Sequence, residues 1–143
     1  MGKGLRFIAA SLLGIVFAMA VTGTAFAASI TDLQITGVTY NPQTDVATVT
    51  AVVTCSETIE LRAFSVIYQG IGRSDRQASY AGGIDSVTCS TTPTTLTLES
   101  TQLLDSARLH PGMAHINVFV ESIASPGTFR GQSADLRITV ARP

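Results

Sequence analysis

Hydrophobic and polar residues alternate with a period of two along several short segments after residue 28, and this pattern predicts β-strands. The clearest segment is Val46–Cys55, in which Val49, Val53 and Cys55 share one face while threonines occupy the other. The remaining predicted strands span residues 30–39, 61–69, 77–80, 84–90, 93–99, 115–121 and 134–140. Helical periodicity is confined to residues 100–109, where one short turn of helix is the only candidate.

Turn signals separate these segments. Residues 41–45 form a turn cluster in which Pro42 restricts φ. Residues 70–83 are rich in glycine, serine and charge, so we expect loops there on both sides of a weak edge strand. Short strands without helical crossovers predict an all-β chain with two packed antiparallel sheets. We therefore expect an immunoglobulin-like antiparallel β-sandwich of seven to eight strands.

The two cysteines support this architecture. Cys55 lies at the end of one predicted strand and Cys89 on a later one, both on the side expected to face the core. Because an exported chain meets an oxidising compartment, we predict a single Cys55–Cys89 disulfide, with two unrelated buried thiols as the alternative. The chain contains no tryptophan, which argues against an antibody-type domain.

Residues 1–27 have the pattern of a helical signal peptide. Basic residues precede an apolar run over residues 7–21, and the small residues Ala25 and Ala27 follow at a cleavage site. An uncleaved anchor is the alternative, but this run is shorter than the about 20 apolar residues that span a bilayer. Residues 28–143 are then one secreted domain. We expect the chain to contact a membrane only through the signal segment, before cleavage.

The charge balance disfavours nucleic acid as a partner. The full chain has nine basic and ten acidic residues, and cleavage would remove Lys3 and Arg6. Seven basic residues against ten acidic ones leave a net charge of about −3. The remaining arginines are scattered between Arg62 and Arg142, whereas a nucleic-acid-binding protein usually carries a basic stripe.

The residues typical of catalysis or metal binding are present without the spacing that such chemistry needs. His110 and His115 have no second pair of ligands nearby, so we expect no metal site. Glu57 and Glu60, in a predicted turn, are more typical of solvated charges than of a glycosidase pair. The sequence lacks a Gly-x-Ser-x-Gly elbow and a glycine-rich phosphate loop. We predict a noncatalytic protein without a cofactor.

Four short motifs resemble, in order, a family of small exported actinobacterial proteins of unknown function. The motifs are Thr54-Cys55-Ser56, Gln69-Gly70, Val87-Thr88-Cys89 and Pro111-Gly112-Met113-Ala114. The resemblance implies an extracellular bacterial immunoglobulin-like domain with one disulfide. It implies no activity.

Aromatic residues supply the remaining functional hypothesis. Tyr68, Tyr80, Phe119 and Phe129 are candidates for an exposed binding patch, since aromatic rings provide large contact areas at low entropic cost. We predict an extracellular binding or structural module whose partner is a protein, a cell-wall glycan or another copy of the chain. The alternatives are a protease inhibitor that presents residues 71–83 as an extended loop, a small hydrolase, and a carrier of a small apolar ligand.

Overall fold

The computed structural model describes residues 28–70 and 77–142, and these residues form seven β-strands. The strands are β1 (Ile30–Asn41), β2 (Val46–Cys55), β3 (Ile59–Gly70), β4 (Gln77–Cys89), β5 (Thr94–Gln102), β6 (Gly112–Ser122) and β7 (Phe129–Val140). The predicted signal peptide at residues 1–27 lies outside the described residues. Within the described ranges there is no helix of the length and hydrophobicity needed to cross a membrane.

The seven strands close into a barrel in the order β1-β2-β5-β4-β3-β6-β7. The predicted immunoglobulin-like sandwich of two antiparallel sheets is therefore wrong, although the all-β class is confirmed. Two short pairings complete the circle. β4 pairs with β5 only through Tyr80–Gln102 and Ala81–Thr101, and β1 pairs with β7 in parallel at two positions. Alternation within a strand separates inward from outward residues in a sandwich and a barrel alike, so it does not predict these pairings.

Gly82 permits the closure between β4 and β5. A Cβ atom at this position would lie 1.8 Å from the carbonyl oxygen of Glu99 on β5, a distance that no side chain tolerates. Glycine within a strand often marks such a close backbone approach or a tight bend in a barrel. The glycine-rich composition that predicted loops around residues 70–83 thus belongs, from Gln77 onward, to a strand.

The strand boundaries agree closely with the sequence pattern at β2, whereas β7 begins at Phe129, five residues before its predicted start at residue 134. The prediction for Val46–Cys55 is confirmed to the residue. The predicted strands 77–80 and 84–90 form one continuous strand, β4. Its register with β3 shifts once, between the positions that face Leu61 and Ala63. The candidate helical turn within residues 100–109 is wrong, because β5 extends to Gln102 and a non-helical turn at residues 104–105 follows.

Side chains fill the barrel, which has an interior like that of other small barrels. Each strand contributes buried apolar residues, among them Leu33, Val49, Ile67, Tyr80, Leu98, Ile116 and Ile138. The predicted disulfide is confirmed: Cys55 and Cys89 are both buried and their sulfurs are bonded, with the Cα atoms 5.8 Å apart. The bond joins the ends of β2 and β4, which are separated in the barrel by β5.

A buried glutamine fixes the segment that leads into β6. The side chain of Gln69, at the end of β3, is 2% exposed. Its Nε2 donates a hydrogen bond to the carbonyl of His110 at 2.9 Å, and the amide of His110 donates to its Oε1 at 2.9 Å. Both ends of the amide are satisfied, so a polar group can remain in the interior at low cost.

Candidate functional site

The outer surface of β3, β6 and β7 carries the largest exposed aromatic side chains of the described residues. These three strands are neighbours in the barrel, and their outward residues lie in rows that cross the strands. One row contains Arg62, Glu121 and Phe129. The next row contains Phe64 and Phe119. We call Phe64, Phe119 and Phe129 the phenylalanine patch.

The rings of Phe64 and Phe119 stack on each other. The two residues face each other across β3 and β6, and their ring centroids are 5.0 Å apart with an angle of 23° between the planes. Phe64 is 49% exposed, Phe119 36% and Phe129 69%. Aromatic pairs of this kind add to stability, but here a large part of their apolar surface remains in water.

Glycines flank the stacked pair on both sides. Gly83 faces Phe64 from β4, and Gly131 faces Phe119 from β7. A Cβ atom at Gly131 would lie 3.1 Å from two ring carbons of Phe119, so this ring extends over the glycine. The absence of side chains at both ends of the row leaves the two rings uncovered, as a raised apolar strip across four strands.

A shallow pocket of about 200 Å³ lies at the patch. All three phenylalanines line it, together with Val120 and the charged pair Arg62 and Glu121. Arg62 and Glu121 face each other on adjacent strands. The pocket therefore has an apolar centre with one positive and one negative group at its rim, which is the composition of many protein–protein contact sites.

The structure separates the four aromatic residues that the sequence suggested as a patch. Phe119 and Phe129 belong to the phenylalanine patch, and Tyr68 lies outward on β3 at a position that faces His115. Tyr80 is fully buried, so its assignment to an exposed patch is wrong. Tyr80 faces the buried Ile67 of β3 and shares its inward side, and β4 pairs with both β3 and β5, whereas the sequence predicted only a weak edge strand there.

Phe64 is the member of the site that sequence reasoning missed. Both faces of its strand are apolar, so the sequence pattern does not distinguish its exposed side from its buried side. In the barrel, Ala63, Ser65 and Ile67 point inward and Phe64 points to solvent. An aromatic residue flanked by polar or charged neighbours on the same face, here Arg62, was the available signal.

Tyr80 belongs instead to a polar cluster at one end of the barrel. Its hydroxyl donates a hydrogen bond to Oδ1 of Asp45, which also accepts one from the hydroxyl of Tyr40 at 2.7 Å. The guanidinium of Arg108 lies 3.4 Å from the same oxygen and donates to the carbonyl of Pro42 at 2.9 Å. Asp45 has a positive φ of 56°, a conformation that aspartate and asparagine adopt more readily than most residues.

The protonation states of this cluster suit a structural role. Burial raises the pKa of Asp45, but the hydrogen bonds from Tyr80 and Tyr40 and the charge of Arg108 outweigh it and lower the pKa below its usual value. Burial, followed by the bond to Asp45, raises the pKa of both tyrosines. Both phenols therefore remain protonated donors to a carboxylate, which is a poor arrangement for a nucleophile or a general base.

The other groups considered from the sequence lie on the surface. Nδ1 of His115 is 2.8 Å from Oδ1 of Asp135 on β7, at the far end of the face from Phe129. Glu60 accepts hydrogen bonds from Thr88 and Ser86, and these bonds lower the pKa of its carboxyl. In the part of the chain that the structure describes, no three histidine, cysteine, aspartate or glutamate side chains lie close enough to hold a metal ion.

The proposed inhibitory loop at residues 71–83 is only partly described. Residues 71–76 lie outside the described residues, and Gln77 to Gly83 belong to β4, paired residue by residue with β3. A segment that pairs with β3 along its whole length, and with β5 at Tyr80 and Ala81, is not an extended free loop. The predicted loop is therefore wrong from Gln77 onward.

No family model and no curated protein sequence matches the chain. Among solved structures, the alkylpurine DNA glycosylase AlkC of Pseudomonas fluorescens, bound to DNA with an abasic site analog, is 13% identical with a TM-score of 0.40. That match covers 84% of this chain and 32% of the glycosylase, so the chain spans about a third of that protein. The ligand-binding region of serine-glutamate repeat protein A of Enterococcus faecium is 14% identical with a TM-score of 0.35, and the match covers 78% of this chain and 99% of that region.

A late embryogenesis abundant protein solved in solution is 14% identical with a TM-score of 0.37, and the match covers 96% of this chain and 87% of that protein. TM-scores this low carry no argument about function. The similarity to small exported actinobacterial proteins stays a prediction. The function must be argued from the site itself.

Proposed function

We propose that this protein is an exported, noncatalytic binding module that contacts an apolar partner surface through the phenylalanine patch. The observation that carries the proposal is the stacked Phe64–Phe119 pair, which remains exposed beside Phe129 and a pocket of about 200 Å³. Evenly scattered apolar residues are ordinary on protein surfaces, whereas a contiguous aromatic strip often marks a contact site.

The size of the patch supports a binding role. With about 200 Å² for a whole phenylalanine side chain, the exposed fractions of Phe64, Phe119 and Phe129 amount to roughly 300 Å² of aromatic surface. That area is comparable to the largest apolar patch of a typical monomeric protein, a patch that is often functional. A partner that covers it removes this surface from water, which is the main source of affinity in such contacts.

The chemistry of the patch favours a protein over a glycan. Phenylalanine rings lack a hydrogen-bonding group, whereas tyrosine and tryptophan combine a ring with a donor. The patch contains three phenylalanines, and the chain contains no tryptophan. Sugars carry many hydroxyls that need hydrogen-bond partners, while an apolar protein surface does not. The charged rim of Arg62 and Glu121 suits the polar border of a protein contact.

The disulfide supports export. Structural disulfides persist in oxidising compartments and are rare in the cytosol of most organisms. The buried Cys55–Cys89 bond is consistent with an extracellular protein. Together with the signal-peptide pattern of residues 1–27, it leads us to propose that the chain is secreted.

The proposal can be tested by binding of immobilised protein to the secreted proteins of the source organism and to insoluble cell-wall glycans. The full chain is expressed in an exporting host and purified from the medium. We compare it with the double variant Phe64→Ser/Phe119→Ser and with Leu104→Ser, a matched control because Leu104 is 96% exposed and lies outside the patch. We expect a protein to bind the native chain and the control equally, and the patch variant at least tenfold more weakly.

Three results would contradict the proposal. The first is equal binding of the partner by the patch variant, which would move the contact elsewhere. The second is binding to a glycan that depends on the patch, and the third is turnover of a substrate in a panel of ester, peptide and glycoside substrates. All three substituted positions are exposed, so we expect the variants to fold, and circular dichroism of each variant checks this.

A further inference from the structure

We propose that the partner of the phenylalanine patch is a second copy of this chain, packed face to face about a two-fold axis that runs parallel to the strands between β3 and β6. This inference rests on the proposed function and deepens it by naming the partner. The arrangement of charge on the face carries the inference. When a second copy is rotated onto this face, the basic residue of the charged row lies over the acidic residue of the same row, and the aromatic row lies over itself.

The axis exchanges β3 with β6 and leaves each row in place. Arg62 and Glu121 face each other in one row, and Phe64 and Phe119 in the next. After the rotation, Arg62 of one copy lies over Glu121 of the second copy, and Glu121 lies over the second copy's Arg62. Phe64 in the same way meets Phe119. A two-fold contact of this kind uses the same surface on both copies, as most homodimers do.

The rest of the face also avoids opposed like charges. The same axis exchanges β4 with β7, the neighbours on either side. In this packing no two like charges meet, because each further facing pair contains at most one acidic or basic residue. These pairs are Val66 with Asn117, Tyr68 with His115, Ala81 with Ser133, Ser79 with Asp135, Gly83 with Gly131, and Phe129 with Asp85 and Ser86, the β4 residues opposite Arg62.

Two-fold axes that run parallel to this one but above β3 or above β6 bring like charges together. An axis along β6 would place Glu121 over Glu121, and one along β3 would place Arg62 over Arg62. Opposed like charges at a contact are strongly unfavourable, so they select against these registers. The glycines favour the same choice, because Gly83 and Gly131 place no side chain beside the stacked rings.

The face is large enough for a weak dimer. Taken as flat, four strands about 4.8 Å apart and eight residues at 3.3 Å each give at most roughly 500 Å², or about 1,000 Å² for two copies, and the curvature of the closed barrel lowers this area. Specific interfaces of this size lie at the lower end of the observed range and are transient. We expect a dissociation constant on the order of 100 µM, so the dimer forms only where the exported protein is concentrated.

Sedimentation velocity of the exported chain between about 5 µM and 1 mM measures the association directly. We expect the average mass to rise toward that of a dimer over this range. Nuclear magnetic resonance spectra across the same dilution should show shifts concentrated at Arg62, Phe64, Phe119 and Glu121. A chain that stays monomeric at the highest concentration, or shifts that map to another face, would overturn the inference.

Charge exchange tests the pairing itself. Arg62→Glu gives a face with two acidic groups in the charged row, and Glu121→Arg gives a face with two basic groups. Each variant alone should dimerise at least tenfold more weakly than the native chain. An equimolar mixture should form a heterodimer at least as tight as the native dimer, because each acidic group then meets a basic one. Thr97→Glu, on the outer surface of β5, is the matched control and should dimerise normally.

The mixture of the two variants distinguishes a contact between copies from a change of stability within each monomer. Arg62 and Glu121 are neighbours in each monomer, so either exchange alone changes its stability a little, but that effect cannot be repaired by adding the other variant. If each variant dimerises like the native chain, or if the mixture stays monomeric, the proposed packing is wrong. The proposed function survives that result if the Phe64→Ser/Phe119→Ser variant still loses a different protein partner, and fails if it does not.

Discussion

Tyr80 donates a hydrogen bond to Asp45, a residue 35 positions earlier in the chain. Asp45 ends the turn between β1 and β2, and Tyr80 lies on β4, which is separated from β2 by β5. Tyr40 packs edge-on against Tyr80, with ring centroids 6.0 Å apart, and donates to the same carboxylate. One carboxylate oxygen thus joins two sides of the barrel at one of its ends.

Asp45→Asn should destabilise the fold. Asparagine keeps the shape of the side chain and tolerates the positive φ, so the substitution removes mainly the charge that two tyrosines and Arg108 contact. Hydrogen bonds to charged groups contribute about 1.5 to 3 kcal/mol each, so we expect a loss of roughly 2 kcal/mol in the free energy of unfolding, measured with urea.

Asp105→Asn is the matched control for this prediction. Asp105 also has a positive φ, 63°, but it is exposed. Its substitution should change the free energy of unfolding by less than about 0.5 kcal/mol. Equal effects of the two substitutions would show that backbone conformation, and not the carboxylate cluster, sets the cost.

The stabilisation by Asp45 should disappear in acid. Its pKa is lowered in the folded state, so the unfolded chain binds the proton more tightly and folding is favoured above the unfolded pKa. The contribution is complete above about pH 5 and is lost as the pH falls through the depressed pKa of the folded state. Urea unfolding at several values between pH 7 and pH 2 should show the native chain losing its advantage over Asp45→Asn. A constant difference across that range would contradict the assignment.

Gly82→Ala should open the barrel between β4 and β5. The added methyl group would lie 1.8 Å from the carbonyl oxygen of Glu99, so the two backbones must separate. We expect a loss of about 2 to 3 kcal/mol and faster amide hydrogen exchange at Ala81 and Gln102, which lie at this closure. Gly37→Ala, where the new methyl group meets nothing within 4 Å, should be nearly neutral. Unchanged stability of Gly82→Ala would argue against closure at this seam.

Removal of the disulfide should cost a large part of the stability. The bond spans 34 residues, and closing a loop of that size contributes up to about 4 kcal/mol in the chain-entropy model. The Cys55→Ala/Cys89→Ala variant should therefore unfold at lower urea concentration than the native chain. Reducing agent should shift the native chain toward the variant and leave the variant unchanged. A variant as stable as the native chain would show that the bond is dispensable.

Gln69→Leu should loosen the segment before β6. The substitution preserves much of the volume but leaves the amide and carbonyl of His110 without their partner at 2.9 Å. A buried group left without a hydrogen bond costs about 1 to 3 kcal/mol. Gln132→Leu, at an exposed position of β7, is the control and should be close to neutral. Hydrogen exchange at His110 should rise in the first variant alone, and identical exchange in both would contradict the role of Gln69.

Much of the local structure follows from the sequence pattern. The alternation over Val46–Cys55 predicts that strand to the residue, and it also places Cys55 on the buried side, where it pairs with Cys89. The pattern fails at β4, where glycines and polar residues weaken the alternation. That strand is held by continuous pairing with β3, an interaction between segments that a local pattern does not contain.

The sequence predicted only part of the candidate site. Phe119 lies outward among polar neighbours, and its exposure follows from the period of its strand. Tyr80 was assigned to an exposed patch and Phe64 was left out of it, because burial of an aromatic residue depends on which face of its strand turns toward the core. The row that joins Gly83, Phe64, Phe119 and Gly131 depends on the register of four strands.

The sequence by itself determined the strand type, the inward phase of most strands and the cysteine pair, since these depend on neighbouring residues and a two-residue repeat. Only the tertiary structure decided that the strands close into a barrel, that Tyr80 is buried beside Asp45, and that Phe64 stands in solvent against Phe119. The physical reason is that closure and register come from backbone pairing between distant segments. A two-residue repeat shows which face of a strand a side chain occupies, but not which distant strand lies beside it, so a constraint such as the close backbone approach at Gly82 is seen only once the strands are paired.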